Sequence, residues 1–161
     1  MKKLALPLLL SSAILVGSAG LLVAAREIPS NKQTETVGWK IARQAAGYLG
    51  TRYKFGGRGE QGLDCSGLVA RIWEDLHLGK LPPNASALFK LGTPVEPQDV
   101  QAGDLVFFEN TYRRGISHVG IYVDDREFIH ASGRRRGVAV SNITQPYYLN
   151  RIVGARRLYE E

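Results

Sequence analysis

Leu63-Asp64-Cys65-Ser66-Gly67-Leu68 is the stretch from which the rest of the chain can be read. Asp64 is a good helix N-cap, because its carboxylate can accept hydrogen bonds from the unpaired N–H groups of a first turn. After it, Leu68, Val69, Ile72, Trp73 and Leu76 fall on one face of a helix, which the pattern predicts to end near Gly79. Cys65 therefore sits in a first helical turn. Free N–H groups and the positive end of the helix dipole are expected there to stabilise a thiolate and lower the thiol pKa. The same N–H groups suit an oxyanion forming beside the sulfur. Upstream, Thr51 to Gly62 holds four glycines in twelve residues and reads as a loop. A cysteine opening a helix after a Gly-rich loop is poised as a nucleophile. Asp64 itself reads as a cap rather than a catalyst.

A nucleophile of this kind needs a base, and the chain has three histidines. His77 lies twelve positions along the helix of Cys65, about 18 Å away at the helical rise, out of reach of the thiol. His118, Gly120 and Tyr122 share one face of a strand, and Phe128 and His130 share a face of the next. A turn around Asp124-Asp125-Arg126 joins the two. A two-residue loop would put the histidines on opposite faces, so an odd-length loop is predicted, with the histidines opposite or diagonal to each other. His118 is then the base and His130 its orienter, the logic of a cysteine-histidine-polar triad. One Cys and two His also suit an open zinc site. No CxxC or HxxxH spacing supports that alternative.

Around this centre the elements follow by periodicity. Val37, Ile41, Ala45 and Leu49 fall at helical spacing, with Gly50 as C-cap. A short helix is predicted from Asn84 to Leu91, then a loop through Pro94, Pro97 and Gly103. From Asp104 the period becomes two. Strands are predicted at 105–108, 117–123, 127–131, 138–141 and 152–157. Helices first and strands afterwards give an α+β domain with an antiparallel sheet.

At 161 residues there is room for one domain. Residues 1–25 stand apart: Lys2 and Lys3, an apolar run to Ala25, and small residues at Val23-Ala24-Ala25 make a secretory signal by pattern. No cysteine lies at the cleavage point, so a lipoprotein is not expected. Residues 26–36 read as a linker and 37–161 as the catalytic domain. Without the first 25 residues, Lys plus Arg falls from 21 to 19 against 15 acidic residues, a net +4. That moderate charge, with no aromatic-interleaved basic stretch, excludes a nucleic-acid partner. The single cysteine has no intrachain disulfide partner, so an exported form carries a free thiol.

Taken together, Leu49-Gly50-Thr51-Arg52-Tyr53, Gly56-Gly57, Asp64-Cys65-Ser66-Gly67-Leu68, Ala102 to Phe108, His118 to Val123 and Phe128-Ile129-His130-Ala131 resemble the NlpC/P60 family of cell-wall cysteine peptidases. The resemblance covers roughly residues 37–158. It implies a permuted papain-like fold in which N-terminal helices pack on a five- to six-stranded antiparallel sheet. It implies that Cys65 attacks a peptide carbonyl to form a thioester, that His118 moves the proton, and that His130 orients His118. It further implies that Tyr53 stabilises the oxyanion with the Cys65 N–H, and that neither cofactor nor metal is needed. Family members often carry Arg and Gln after the Leu-Pro that follows the catalytic helix. Here Leu81-Pro82 is followed by Pro83-Asn84-Ala85, a departure expected at the border of the cleft.

By the same resemblance, the chain is expected to be a periplasmic or secreted monomeric endopeptidase acting on peptidoglycan. It would cut within a stem at D-glutamate or at a cross-link, with a slight preference for the cross-link. The membrane would be touched only through the signal segment. Arg113-Arg114 and Arg134-Arg135-Arg136 are candidates for holding substrate carboxylates. The alternatives are a papain-like acyltransferase or thioesterase on lipid, which needs a long apolar groove, and a catalytically silent wall-binding module.

Overall fold

The computed structural model describes residues 35–161; the predicted signal segment and nearly all of the linker lie outside the described residues. The described residues open with α1 (Val37–Ala46), capped by Thr36, whose hydroxyl accepts a hydrogen bond from the Trp39 N–H at 3.3 Å. The Gly-rich segment then folds into a minimal hairpin of β1 (Arg58–Gly59) and β2 (Gly62–Leu63) that delivers the chain into α2 (Cys65–Asp75). After α2 come α3 (Ala85–Leu88), β3 (Thr93–Val95) and a 3₁₀ turn at Pro97–Asp99. The remainder is β4 (Leu105–Glu109), β5 (Ile116–Asp124), β6 (Glu127–Ala131), β7 (Val138–Asn142), α4 (Pro146–Leu149) and β8 (Ile152–Arg157).

Strands β3 to β8 form one six-stranded sheet in the order β3-β8-β4-β5-β6-β7, antiparallel throughout. The expected α+β class and sheet are present. Helix α2 ends four residues earlier than Gly79: Leu76 caps it, and His77 adopts a left-handed backbone (φ 56°) that turns the chain away. Five elements were not predicted: β1, β2, β3, the 3₁₀ turn and α4. The β1–β2 hairpin and α4 have only two or four residues per element, too few to show a period. β3 contains Pro94, which an edge strand bonded on one side tolerates.

Strand alternation divides the interior in two. Leu105, Phe107, Val119, Ile121, Ile129 and Ala131 pack under the helices against Ile41, Leu68, Ile72 and Trp73. Val106, Phe108, Phe128, Tyr148 and Ala155 form a second cluster on the other face. At the end of the sheet near β3, the fully buried Asp104 carboxylate accepts two hydrogen bonds from Arg157, each 2.8 Å. That pair ties the last strand to the entry of β4.

The β5–β6 connection corrects the predicted loop. Its turn has two residues, Asp125 (φ 45°) and Arg126 (φ 63°), both left-handed as a two-residue hairpin requires. The odd residue sits in the strand instead. Tyr122 pairs with Phe128 and Asp124 with Glu127, leaving Val123 as a bulge. The bulge restores the parity that the loop lacks. Continued past Ile121↔Ile129, the register puts Gly120 opposite His130 and the two histidines diagonal on one face.

Candidate active site

Cys65 is the first residue of α2 and is buried, with 5% of its surface exposed. The turn that holds it is tied on three sides. Asp64 Oδ1 accepts from the Gly67 N–H at 2.7 Å and from the Ser66 hydroxyl at 3.0 Å, and Asp64 Oδ2 accepts from the Gly56 N–H at 2.9 Å. Asp64 thus caps the helix and staples the preceding loop to it. Gly67 is required by contact: a Cβ there would lie 1.9 Å from the Gly57 carbonyl oxygen. The Gly-rich loop presses directly on the helix, and this sets the position of Tyr53, which bridges to Leu63.

Strand β5 reaches the cysteine at a second irregularity. Phe108 pairs with His118 and Glu109 with Ile116, so Ser117 bulges from the β4–β5 ladder. Its hydroxyl accepts from the Thr111 N–H at 3.0 Å, and its carbonyl faces Cys65 Sγ at 4.0 Å. The next residue is His118. Its Nε2 lies 2.6 Å from His130 Nδ1, with the rings nearly perpendicular. That separation is a hydrogen bond; two nitrogens on one tetrahedral zinc would stand about 3.3 Å apart. His130 Nε2 lies 3.0 Å from Ser141 Oγ. The ring of Phe128 packs 4.7 Å from that of His130 and occupies the space that a side chain at Gly120 would fill, 2.4 Å from the missing Cβ.

The electrostatics differ from the expectation. The N–H groups of Val119, Ser66 and Cys65 do favour the thiolate. Burial outweighs them, with the Asp64 carboxylate adding, and the thiol is pushed up to about 11. Burial also lowers the His118 imidazole to about 4 and the His130 imidazole well below its ordinary value, the neighbouring His118 adding to the latter. Burial thus disfavours both the thiolate and the imidazolium in the free site. Burial raises the Tyr53 phenol, and the nearby Cys65 raises it further.

Cys65, His118, His130 and Tyr53 all line one cleft of about 410 Å³. Its other walls are largely aromatic: Phe55, Tyr112, Tyr147 and Tyr148. None of these four was predicted, because their strands and loops carry no local signal of where they meet. Of the five loop arginines, only Arg134 lines the cleft; Arg113 lies over the Tyr112 ring and Arg136 donates to the Val140 carbonyl. The Pro83-Asn84 segment is not part of the cleft wall. It braces the start of α2, where the Ser66 hydroxyl donates to the Pro83 carbonyl at 3.0 Å. His77 is exposed at the far end of the helix.

The chain is similar to known proteins over most of its length. The family model described as "NlpC/P60 family" matches residues 50–157. The chain is 37% identical over 140 residues to gamma-DL-glutamyl hydrolase of Bacillus subtilis, covering 86% of this chain and 33% of that protein. It is 31% identical over 144 residues to the murein DD-endopeptidase MepH of Escherichia coli, covering 88% of this chain and 52% of that one. It thus spans between a third and about half of the length of these curated relatives. Among solved structures, an NlpC/P60 family protein from Bacillus cereus superposes with a TM-score of 0.70 at 27% identity, over 76% of this chain and 40% of that chain. With the family model matching most of the chain and the fold shared with its solved members, this protein belongs to the NlpC/P60 family.

Proposed function

We propose that the protein is an exported cysteine endopeptidase of peptidoglycan, with Cys65 as nucleophile, His118 as base, His130 as its orienter and Tyr53 as an oxyanion donor. The observation that carries this reading is the convergence, in one cleft, of a helix-opening cysteine and a hydrogen-bonded histidine pair from two adjacent strands. His118 Nε2 is committed to His130, which leaves Nδ1 to take the thiol proton. Because the thiol sits high and the imidazole low, that proton moves as the sulfur attacks the carbonyl, not beforehand. Sulfur bonds to the carbonyl carbon, and the oxyanion is met by the Cys65 N–H and the Tyr53 hydroxyl. Collapse forms the thioester, and the leaving amine takes the proton from His118. Water, deprotonated by His118, then releases the acid.

Two relatives differ in the bond they are named for, one a gamma-DL-glutamyl hydrolase and the other a murein DD-endopeptidase. The cleft suits a peptide stem in either case, with its aromatic walls and Arg134 at its edge. A lipid acyl-transfer role has less support: the apolar groove of about 570 Å³ bordered by Phe89, Val95 and Ile152 shares no residue with the cleft. Export rests on the pattern of residues 1–25. Incubation with purified muropeptides, cross-linked and uncross-linked, tests the substrate by mass spectrometry. Conversion of dimers to monomers names the cross-link, and loss of the stem beyond D-glutamate names the γ-glutamyl bond. If neither pool changes, the substrate assignment fails.

A further inference from the structure

Behind the two histidines lie two more buried polar groups that the mechanism above does not use. Ser141 on β7 pairs with Phe128, so it shares a sheet face with His130 and stands diagonal to it. Tyr148 comes from α4, a different part of the fold, and caps the same spot. Ser141 is 4% exposed, Tyr148 7% and His130 1%. Three distances close a triangle: His130 Nε2 to Ser141 Oγ is 3.0 Å, Ser141 Oγ to Tyr148 Oη is 3.3 Å, and Tyr148 Oη to His130 Nε2 is 3.4 Å.

The direction of these bonds follows from their geometry. Ser141 has one O–H, which donates to Tyr148 Oη at 3.3 Å. A Tyr148 O–H aimed at His130 Nε2 would reverse the order, but that contact is the longest of the three at 3.4 Å, and the shortest, 3.0 Å, joins Nε2 to Ser141 Oγ. Ser141 Oγ is then left to accept from His130, so His130 carries its proton on Nε2. His130 Nδ1 is bare and accepts from His118 Nε2–H across 2.6 Å. His118 Nδ1 is bare in turn and is the only ring nitrogen free to act as a base. Reversing one bond reverses them all: were His130 protonated on Nδ1, it would donate to His118 Nε2 and force the His118 proton onto Nδ1, where no base is left. The buried histidines are neutral, so no charge fixes the choice, and hydrogen bonding alone selects the tautomer.

We propose that Ser141, supported by Tyr148, is a positioning residue that sets the tautomer of both histidines and thereby keeps His118 able to accept the thiol proton. The functional consequence rests on the reading of His118 as base, but the tautomers themselves do not. No proton leaves the chain: the O–H of Ser141 and the N–H groups of the two rings keep their hydrogens throughout the cycle, and only the proton on His118 Nδ1 comes and goes.

The test is nitrogen NMR of the full chain carrying ¹⁵N-labelled histidine, near neutral pH and without substrate. The expected result is that His118 and His130 both carry hydrogen on Nε2 and have a bare Nδ1. Ser141→Ala combined with Tyr148→Phe should give mixed tautomers at both rings. Ser141→Ala alone, which leaves the cleft wall intact, should lower kcat about tenfold or more with KM within about twofold, since a wrong tautomer disables the base without touching the substrate. Ser141→Thr, which keeps the hydroxyl and suits a strand, should restore both signals. A wild-type spectrum with His130 protonated on Nδ1 overturns the proposal, whether or not any variant folds. So does a double variant that keeps wild-type tautomers and kcat. If the tautomers stand as expected but no wall peptide is cut, the substrate reading has failed and this one has not.

Discussion

At the scale of single residues, the site is governed by burial. A cysteine at a helix start invites the expectation of a low thiol pKa, and the N–H groups that would lower it are present around Cys65. They do not win, because the sulfur lies beneath the loop and beside the Asp64 carboxylate. Sequence pattern can locate a helix end, but not how much water reaches it. The consequence is measurable. Alkylation of Cys65 by iodoacetamide in the free protein should keep rising with pH through 9 and beyond, toward a thiol that titrates at about 11. A reaction rate already flat between pH 5 and 8 would mean a preformed thiolate–imidazolium pair and would refute the neutral site. The convergence of Cys65, His118 and His130 was otherwise legible, since they have few rivals of their type in the chain. Ser141 and Tyr148 were not, because serine and tyrosine are common and only the strand register brings them to His130.

At the scale of elements, one bulge does what the hairpin loop was expected to do, and a second brings a carbonyl to the cysteine. Val123 sets the face on which the histidines stand, and Ser117 turns its carbonyl to the cysteine. A bulge adds one residue without altering composition, so alternation reads the strands correctly and misses the irregularity. The long amphipathic pieces, α1, α2 and β4 to β8, were legible for the converse reason: each has enough residues to display a period. The contact between the Gly-rich loop and α2 is equally local and equally exacting. Gly67→Ala would drive a methyl group into the Gly57 carbonyl and push away the loop that carries Tyr53. It should cost about 2 kcal/mol of stability, as overpacking does. It should also cut kcat/KM by about 100-fold if the loop moves by an ångström. Urea unfolding and peptide release read the two effects separately; wild-type activity in Gly67→Ala would show that the loop does not position the site.

At the scale of the whole molecule, the histidines couple catalysis to stability. Both are held neutral when folded, His118 down at about 4 and His130 lower still, whereas in the unfolded chain they titrate near 6.5. Below pH 6.5 the unfolded state binds more protons, so stability falls as the pH drops toward 4 and this contribution levels off once the folded pKa is passed. The slope for the two together approaches about 2.7 kcal/mol per pH unit within that window. Thermal melts from pH 7 to pH 4.5 should show the decline, and His118→Gln with His130→Gln should flatten it. A double variant with an undiminished slope would put the acid sensitivity in other groups. The burial that disfavours a charged imidazole thus also lowers stability in acid.

The proposed cleavage of wall peptide by Cys65 through a covalent acyl intermediate is tested most directly by digestion of purified peptidoglycan with the wild-type protein and with Cys65→Ala, released products and the acid-quenched protein both being weighed by mass spectrometry. New peptide ends are expected from the wild type, with a stem-peptide adduct on Cys65 in the quenched sample, and neither from Cys65→Ala. Equal release by Cys65→Ala would contradict it, whatever the products were.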